Sequence, residues 1–208
     1  MWGQRPVEPQ GYWKEKAENM EHRNVIRRKL AIIGDSGCGK TSLLSIFTLG
    51  NFPAVSLPLR PMDGQAMELA LWDTAGLEGH ARLRPLAYSN ASIILIGFSV
   101  DDPCSLDNVK CKWSKEATRL CPGVPVVLVG LKKDLREDPI AIGKIGESSL
   151  RLVTEHEGEI VAHEIGAKMY LECSSLSGEG VDTVFDIASR EALLAVQKDK
   201  GEGCCPIL

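Results

Sequence analysis

The run Gly34-Asp35-Ser36-Gly37-Cys38-Gly39-Lys40-Thr41 has the residue types and spacing to hold phosphate. Its glycines let backbone N–H groups converge on phosphate oxygens, and a helix starting at its end would add partial positive charge. Lys40 can reach the outer phosphates, and Thr41 brings a hydroxyl to Mg²⁺. Three further segments could complete such a site. In Trp72-Asp73-Thr74-Ala75-Gly76, Asp73 can hold Mg²⁺ through water while the Gly76 N–H faces a terminal phosphate. In Leu131-Lys132-Lys133-Asp134, the carboxylate of Asp134 can accept two hydrogen bonds from the N1–H and amino group of guanine, a pair of donors that adenine lacks. Cys173-Ser174-Ser175 could offer backbone N–H groups to the base oxygen. Alone, Lys132-Lys133-Asp134 reads as a solvated charge run; four such segments in this order favour a nucleotide site.

These segments need rigid elements behind them. Short apolar runs at 30–33, 67–72, 93–100, 124–129 and 168–172 are spaced as strands with room for a helix between each pair. All four segments follow such runs. A helix is expected over 104–120, with Leu106, Val109, Trp113, Ala117 and Leu120 on one face and Asp102-Pro103 as cap and first turn. Thr154 and Glu157 have capping-box spacing ahead of Ile160, Val161 and Ile165, and the last helix carries Val181, Phe185, Ala188, Ala192 and Val196 on one stripe. All these periodic residues are expected in the core. The fold class that follows is α/β, a mostly parallel sheet with helices on both faces and ligands at the carboxyl ends of the strands.

Bulk properties agree. The chain has 208 residues, 44% hydrophobic and 25% charged, enough for one globular domain with a sizeable core. A net charge of −4 gives no electrostatic footprint for nucleic acid. No apolar run approaches a membrane span, and 1–29 lacks the apolar centre of a signal peptide, so an intracellular protein is expected. The seven cysteines lack metal-ligand spacing, and Cys38, Cys104, Cys111, Cys121 and Cys173 read as reduced thiols; a redox role for Cys38, beside a phosphate site, is the sharper alternative. Residues 1–28 show no sustained period and read as a disordered extension, with a partner-docking peptide around Trp2, Tyr12 and Trp13 as the alternative. The domain is expected at 29–196 and a tail at 197–208.

From about residue 28 onward the chain resembles the Rho family of small GTPases, and within it a fungal subclass linked to cell-wall integrity and polarity. The phrases Trp72-Asp73-Thr74-Ala75-Gly76, Arg82-Leu83-Arg84-Pro85-Leu86 and Val129-Gly130-Leu131-Lys132-Lys133-Asp134-Leu135-Arg136 carry the likeness. The resemblance implies a Ras-like P-loop fold that binds GTP or GDP with Mg²⁺ and hydrolyses GTP in membrane-associated signalling. It also implies exchange factors, GTPase-activating proteins, a dissociation inhibitor and effectors as partners. Phe52 matches the position whose ring packs on guanine, and 137–150 resembles the family's helical insert, here weakened by Gly143 and Gly146.

Cys205-Pro206-Ile207-Leu208 reads independently as a prenylation box, whose terminal leucine favours a geranylgeranyl chain. One lipid anchors only marginally. Lys198 and Lys200 are offset by Asp199 and Glu202, which leaves Cys204 as the candidate for palmitoylation. The expected location is the cytoplasmic face of the plasma membrane or an internal membrane, with a cytosolic pool.

Four departures from the family pattern bear on turnover. Leu77 stands where the family has the glutamine that orients the attacking water, and it can neither donate nor accept a hydrogen bond. Ser36 replaces a glycine beside the γ-phosphate, in space an arginine finger would enter. Leu131 stands where an amide or hydroxyl braces the phosphate loop. Between Phe52 and Asp63 the family carries a longer stretch that includes the switch threonine and most of an antiparallel edge strand. Here Pro58 and Pro61 disfavour such a strand, so it is expected shortened or missing, which would expose the edge of the run at 68–72. A slow GTPase is the leading expectation. A non-catalytic scaffold with a decayed switch, or a mis-spliced product, is the alternative, and a P-loop nucleotide kinase is a third class for which neither an acceptor site nor a lid is found.

Overall fold

The computed structural model describes residues 26–49, 56–62, 65–74, 84–147 and 151–201. Strands β1 (Ile26–Gly34), β2 (Ser56–Met62), β3 (Gln65–Asp73), β4 (Ile93–Ser99), β5 (Val126–Leu131) and β6 (Met169–Glu172) form one sheet in the order β2-β3-β1-β4-β5-β6. Every pairing except β2 with β3 is parallel. The five strands expected from apolar runs are all present: β1 and β3 are longer than their runs, β4 and β6 a residue shorter, and β5 lies two residues further on.

Helices cover both faces. They are α1 (Lys40–Leu49), α2 (Arg84–Tyr88), α3 (Pro103–Asn108), α4 (Ser114–Leu120), α5 (Pro139–Glu147), α6 (Glu155–Glu164) and α7 (Val181–Gly201). Alternate side chains of the inner strands point to opposite faces, and both faces are apolar. Leu30, Ile32, Leu95, Val127 and Val129 pack against Leu43 of α1 and Val184, Phe185 and Ala188 of α7. On the other face Ile33, Ile94, Ile96, Phe98 and Leu128 meet Leu106, Val109, Trp113 and Val161. Phe47 stacks on Phe185 with centroids 3.6 Å apart, which joins the helix after the phosphate loop to the last helix.

Capping is as expected. Asp102 accepts from the Cys104 N–H at 3.1 Å, with Pro103 in the first turn of α3. The Thr154 hydroxyl accepts from the Glu157 N–H at 3.3 Å, and the Glu157 carboxylate accepts from the Thr154 N–H at 2.9 Å, a complete capping box.

Two expectations need correction, and a third, the edge strand, resolves to one of its two alternatives. The stretch 104–120 is not one α-helix: a π-helical turn, Val109–Trp113, separates α3 from α4. Ile160 is not core but 44% exposed, while its neighbour Val161 is buried. The edge strand is shortened rather than missing. β2 has seven residues against the nine of β3, with Pro58 opposite Glu68 and a register shift between Leu59 and Met62 that spans Pro61. An outermost strand needs donors on one side only, and a bulge releases one more, so two prolines fit there. β3 is therefore an inner strand, not an exposed edge. The insert forms a nine-residue helix, α5, despite Gly143 and Gly146.

Candidate nucleotide site

The chain leaves β1 at Gly34, whose φ is +145° and whose Cβ, if present, would lie 2.1 Å from the Gly97 carbonyl oxygen of β4. Only glycine fits this approach, and it turns the loop over the sheet. Gly37 and Gly39 also have positive φ. Lys40, the first residue of α1, is buried; its ammonium donates to the carbonyls of Gly34 at 2.9 Å and Asp35 at 2.6 Å. The cation is thus held inside the loop where outer phosphates would lie. Thr41 donates from Oγ1 to Asp73 Oδ2 at 2.6 Å, placing a hydroxyl and a carboxylate side by side at the ends of two different elements. Oxygen donors of this kind suit Mg²⁺, which keeps several waters and needs only one or two protein ligands. Among the described residues there is no group of three or more His, Cys, Asp or Glu that would suit a different metal.

The opposite end of the site is built on β5 and β6. Lys132 adopts a left-handed conformation, φ +61°, rare outside glycine, and its ammonium lies 3.4 Å from Asp101. The Lys133 N–H donates to the Cys173 carbonyl at 3.1 Å, tying the two loops together. The carboxylate of Asp134 is oriented by the buried Ser174 hydroxyl, which donates to Oδ1 at 2.5 Å and accepts from the N–H groups of Leu176 and Ser177. Ser174 therefore acts through its hydroxyl. Its own N–H donates to the Glu179 carbonyl at 2.9 Å, so it is not aimed at a base oxygen as the sequence suggested. Below these loops Arg136 forms a bidentate pair with Glu172, which also accepts from the Tyr170 hydroxyl. Burial opposes the ionised form of Glu172, but the bonds from Arg136 and Tyr170 outweigh it and lower its pKa.

A cavity of about 550 Å³ runs between the two ends. Gly37, Gly39 and Thr41 line one end, and Lys132, Asp134 and Ser175 the other. This volume suits a small-molecule ligand. Leu131, expected to weaken the brace on the loop, is buried and packs within 3.6 Å of where a Gly39 Cβ would be, so apolar contact does the bracing. Ser36 is exposed at the loop surface. Cys38 is buried and donates to the Gly97 carbonyl at 3.7 Å; burial raises its pKa and outweighs the nearby Lys40, which marks an inert structural thiol. Phe52, Gly76, Leu77, Cys204 and Cys205 lie outside the described residues.

Several residues of the site were not singled out in the sequence as parts of it, Ser42 and Ser45 in the cavity lining among them. Ile46 and Leu176 line the cavity, and Trp113, placed correctly in the core, also donates from its indole N–H to Asp35 at 2.8 Å. A helical period identifies a buried face but cannot say that one member of it reaches the phosphate loop.

A glycine-rich strand-to-helix loop with a buried lysine, a Thr–Asp pair and an oriented aspartate at the far end defines a P-loop nucleotide-binding protein. Residues 29–194 match the sequence model of the Ras family. The chain is 50% identical over 193 residues to "GTP-binding protein rho2" of Schizosaccharomyces pombe, covering 88% of this chain and 96% of that protein. It is 51% identical to "GTP-binding protein RHO2" of Saccharomyces cerevisiae, with 88% and 98% covered, and 48% identical to "GTP-binding protein RHO1" of the same organism, with 86% and 90% covered. The chain belongs to the Ras superfamily of small GTPases, in its Rho family.

Proposed function

We propose that this protein binds GTP or GDP with Mg²⁺ as a membrane-associated Rho-type switch and hydrolyses GTP slowly. One observation carries the proposal: the loops after β1, β5 and β6 border a single cavity, Thr41 in its lining bonds Asp73 at the end of β3, Lys40 is held within the loop at the phosphate end, and Asp134, held by Ser174, stands at the base end. Lys40 and the loop N–H groups neutralise phosphate charge, Thr41 and Asp73 hold the metal, and Asp134 selects guanine. Mg²⁺, when bound, neutralises charge on the transferring phosphate. Slow turnover follows from Leu77 at the usual glutamine position and Ser36 in the path of an arginine finger.

The relatives' printed names support GTP binding. Family analogy supports exchange factors, GTPase-activating proteins, a dissociation inhibitor and effectors as partners, and a role in cell polarity, actin or cell-wall control. Lipidation at Cys205, with Cys204 as a second site, supplies the membrane attachment; no described helix is long and apolar enough to cross a membrane. The shortened loop after Phe52 favours a second reading, a scaffold whose partners ignore nucleotide state. Purified chain is expected to bind labelled guanine nucleotide with GTP, but not ATP, competing, and to show single-turnover hydrolysis no faster than a family member with the same leucine. Glutamine-like rates would remove the slow-turnover claim, and identical partner capture with GTP analogue and GDP would select the scaffold.

A further inference from the structure

Asp35 places a carboxylate in the loop that is to hold polyphosphate, beside the residue whose ammonium neutralises it. Left to itself, a fixed negative charge there would oppose the ligand, and oppose a triphosphate more than a diphosphate. The structure turns this carboxylate away. Its Oδ1 accepts from the Trp113 indole N–H at 2.8 Å, and its Oδ2 accepts from the Asn108 amide at 2.6 Å. The carbonyl of the same residue meanwhile accepts from Lys40 at 2.6 Å. Asp35 does not line the cavity that Gly37 and Gly39 border.

The two donors are five positions apart. In an α-helix that spacing puts side chains about 140° apart around the axis, too far to share one carboxylate. The π-helical turn Val109–Trp113, closed by the Ser114 N–H donating to the Val109 carbonyl, brings residues five apart onto one side. Across this turn Asn108 and Trp113 reach the same carboxylate. Both are also locked. The Asn108 amide oxygen accepts from the Cys111 thiol at 3.5 Å. The Trp113 ring is buried, with Lys112 over it at 4.0 Å and the Arg84 guanidinium at 5.8 Å. Arg84 is itself clamped by Glu116 at 2.9 and 3.1 Å, and Glu116 accepts from Tyr88 at 3.0 Å.

We propose that Trp113 and Asn108 are positioning residues that hold the Asp35 carboxylate off the nucleotide phosphates, and so set how well the loop tolerates a third phosphate. This rests on the GTP/GDP reading above. The test uses the full chain with Mg²⁺ and measures dissociation of fluorescent GDP and of a fluorescent non-hydrolysable GTP analogue. Trp113→Phe keeps the ring and removes the donor. It is expected to speed loss of the triphosphate about tenfold and of GDP about threefold, the size of one lost charge-assisted hydrogen bond. Adding Asp35→Asn to Trp113→Phe is expected to bring triphosphate dissociation back toward the wild-type rate, because neutralising the carboxylate removes what the indole restrained. Should Trp113→Phe fail to fold, the half-buried Asn108→Ala carries the same comparison with the same rescue. Unchanged rates, equal effects on both nucleotides, or no rescue by Asp35→Asn overturn the inference alone. A wild-type chain that binds neither nucleotide overturns the functional reading and the inference with it.

Discussion

Arg136→Met is expected to destabilise the domain by about 3 kcal/mol through the loss of a partly buried ion pair. Arg136 donates to both carboxylate oxygens of Glu172 and, from Nε and Nη2, to the Val153 carbonyl at 3.0 and 2.7 Å. The Glu172 side chain is 6% exposed and that of Arg136 23%. Removing one partner of a buried pair costs about 3 to 5 kcal/mol, and the partial exposure of Arg136 favours the lower end. For a domain of this size each kcal/mol moves the melting temperature by about 2 to 4 °C, so a fall of about 6 to 12 °C is expected by calorimetry. The cost arises from a carboxylate stranded with only the Tyr170 hydroxyl. Arg136→Met with Glu172→Met should therefore melt higher than Arg136→Met alone, short of wild type because Val153 and Tyr170 lose partners. The acid limb gives a second readout. Pairing lowers the Glu172 pKa below its ordinary 4.5, so its contribution is present above that pH and is lost as pH falls toward the folded value. The gap between wild type and Arg136→Met should narrow over that range. A single variant within 1 or 2 °C of wild type, about 0.5 kcal/mol, or a double variant no better than the single, would refute the reasoning.

Thr154→Ala is expected to cost about 1 kcal/mol in chemical unfolding, the usual worth of an N-cap. Hydrogen bonds from Arg151, then the Thr154 N–H, hold Glu157 down to about 2, so its contribution should persist through mild acid and vanish between about pH 4.5 and 2, followed by circular dichroism of wild type against Glu157→Gln. Gly158→Ala would put a methyl 2.2 Å from the Tyr170 ring, so a loss of at least about 1 to 3 kcal/mol from overpacking is expected, with Tyr170→Phe failing to relieve it because the ring carbons stay.

The class of fold and the site were largely legible because their signals are local. A glycine-rich run before a helix, apolar runs of strand length and a capping box are each written within a few residues, and all four candidate loops fall at strand ends as their flanking runs indicated. Membership of the family rests on the same short phrases, and the comparisons agree with it.

Whatever depends on residues far apart in the chain was decided by the tertiary structure. Composition gave β2 two prolines and argued against a strand, yet β3 offers a partner and the bulge around Pro61 absorbs the missing donor. Period alone put Ile160 with Val161, although the face of α6 that meets the sheet is carried by Gly158, Val161 and Ala162, which leaves Ile160 outside it. The continuous pattern from 104 to 120 concealed the π-helical turn, because side-chain periodicity records which residues are apolar and not which backbone carbonyl each N–H chooses. That choice is visible only once Trp113, 78 residues away in sequence, meets the carboxylate of Asp35. The sequence by itself determined that a glycine-rich strand-to-helix loop is present and that the segments at 131–134 and 173–175 follow strands of the same sheet; folding decided which other side chains line the cavity and which way the loop's own aspartate faces.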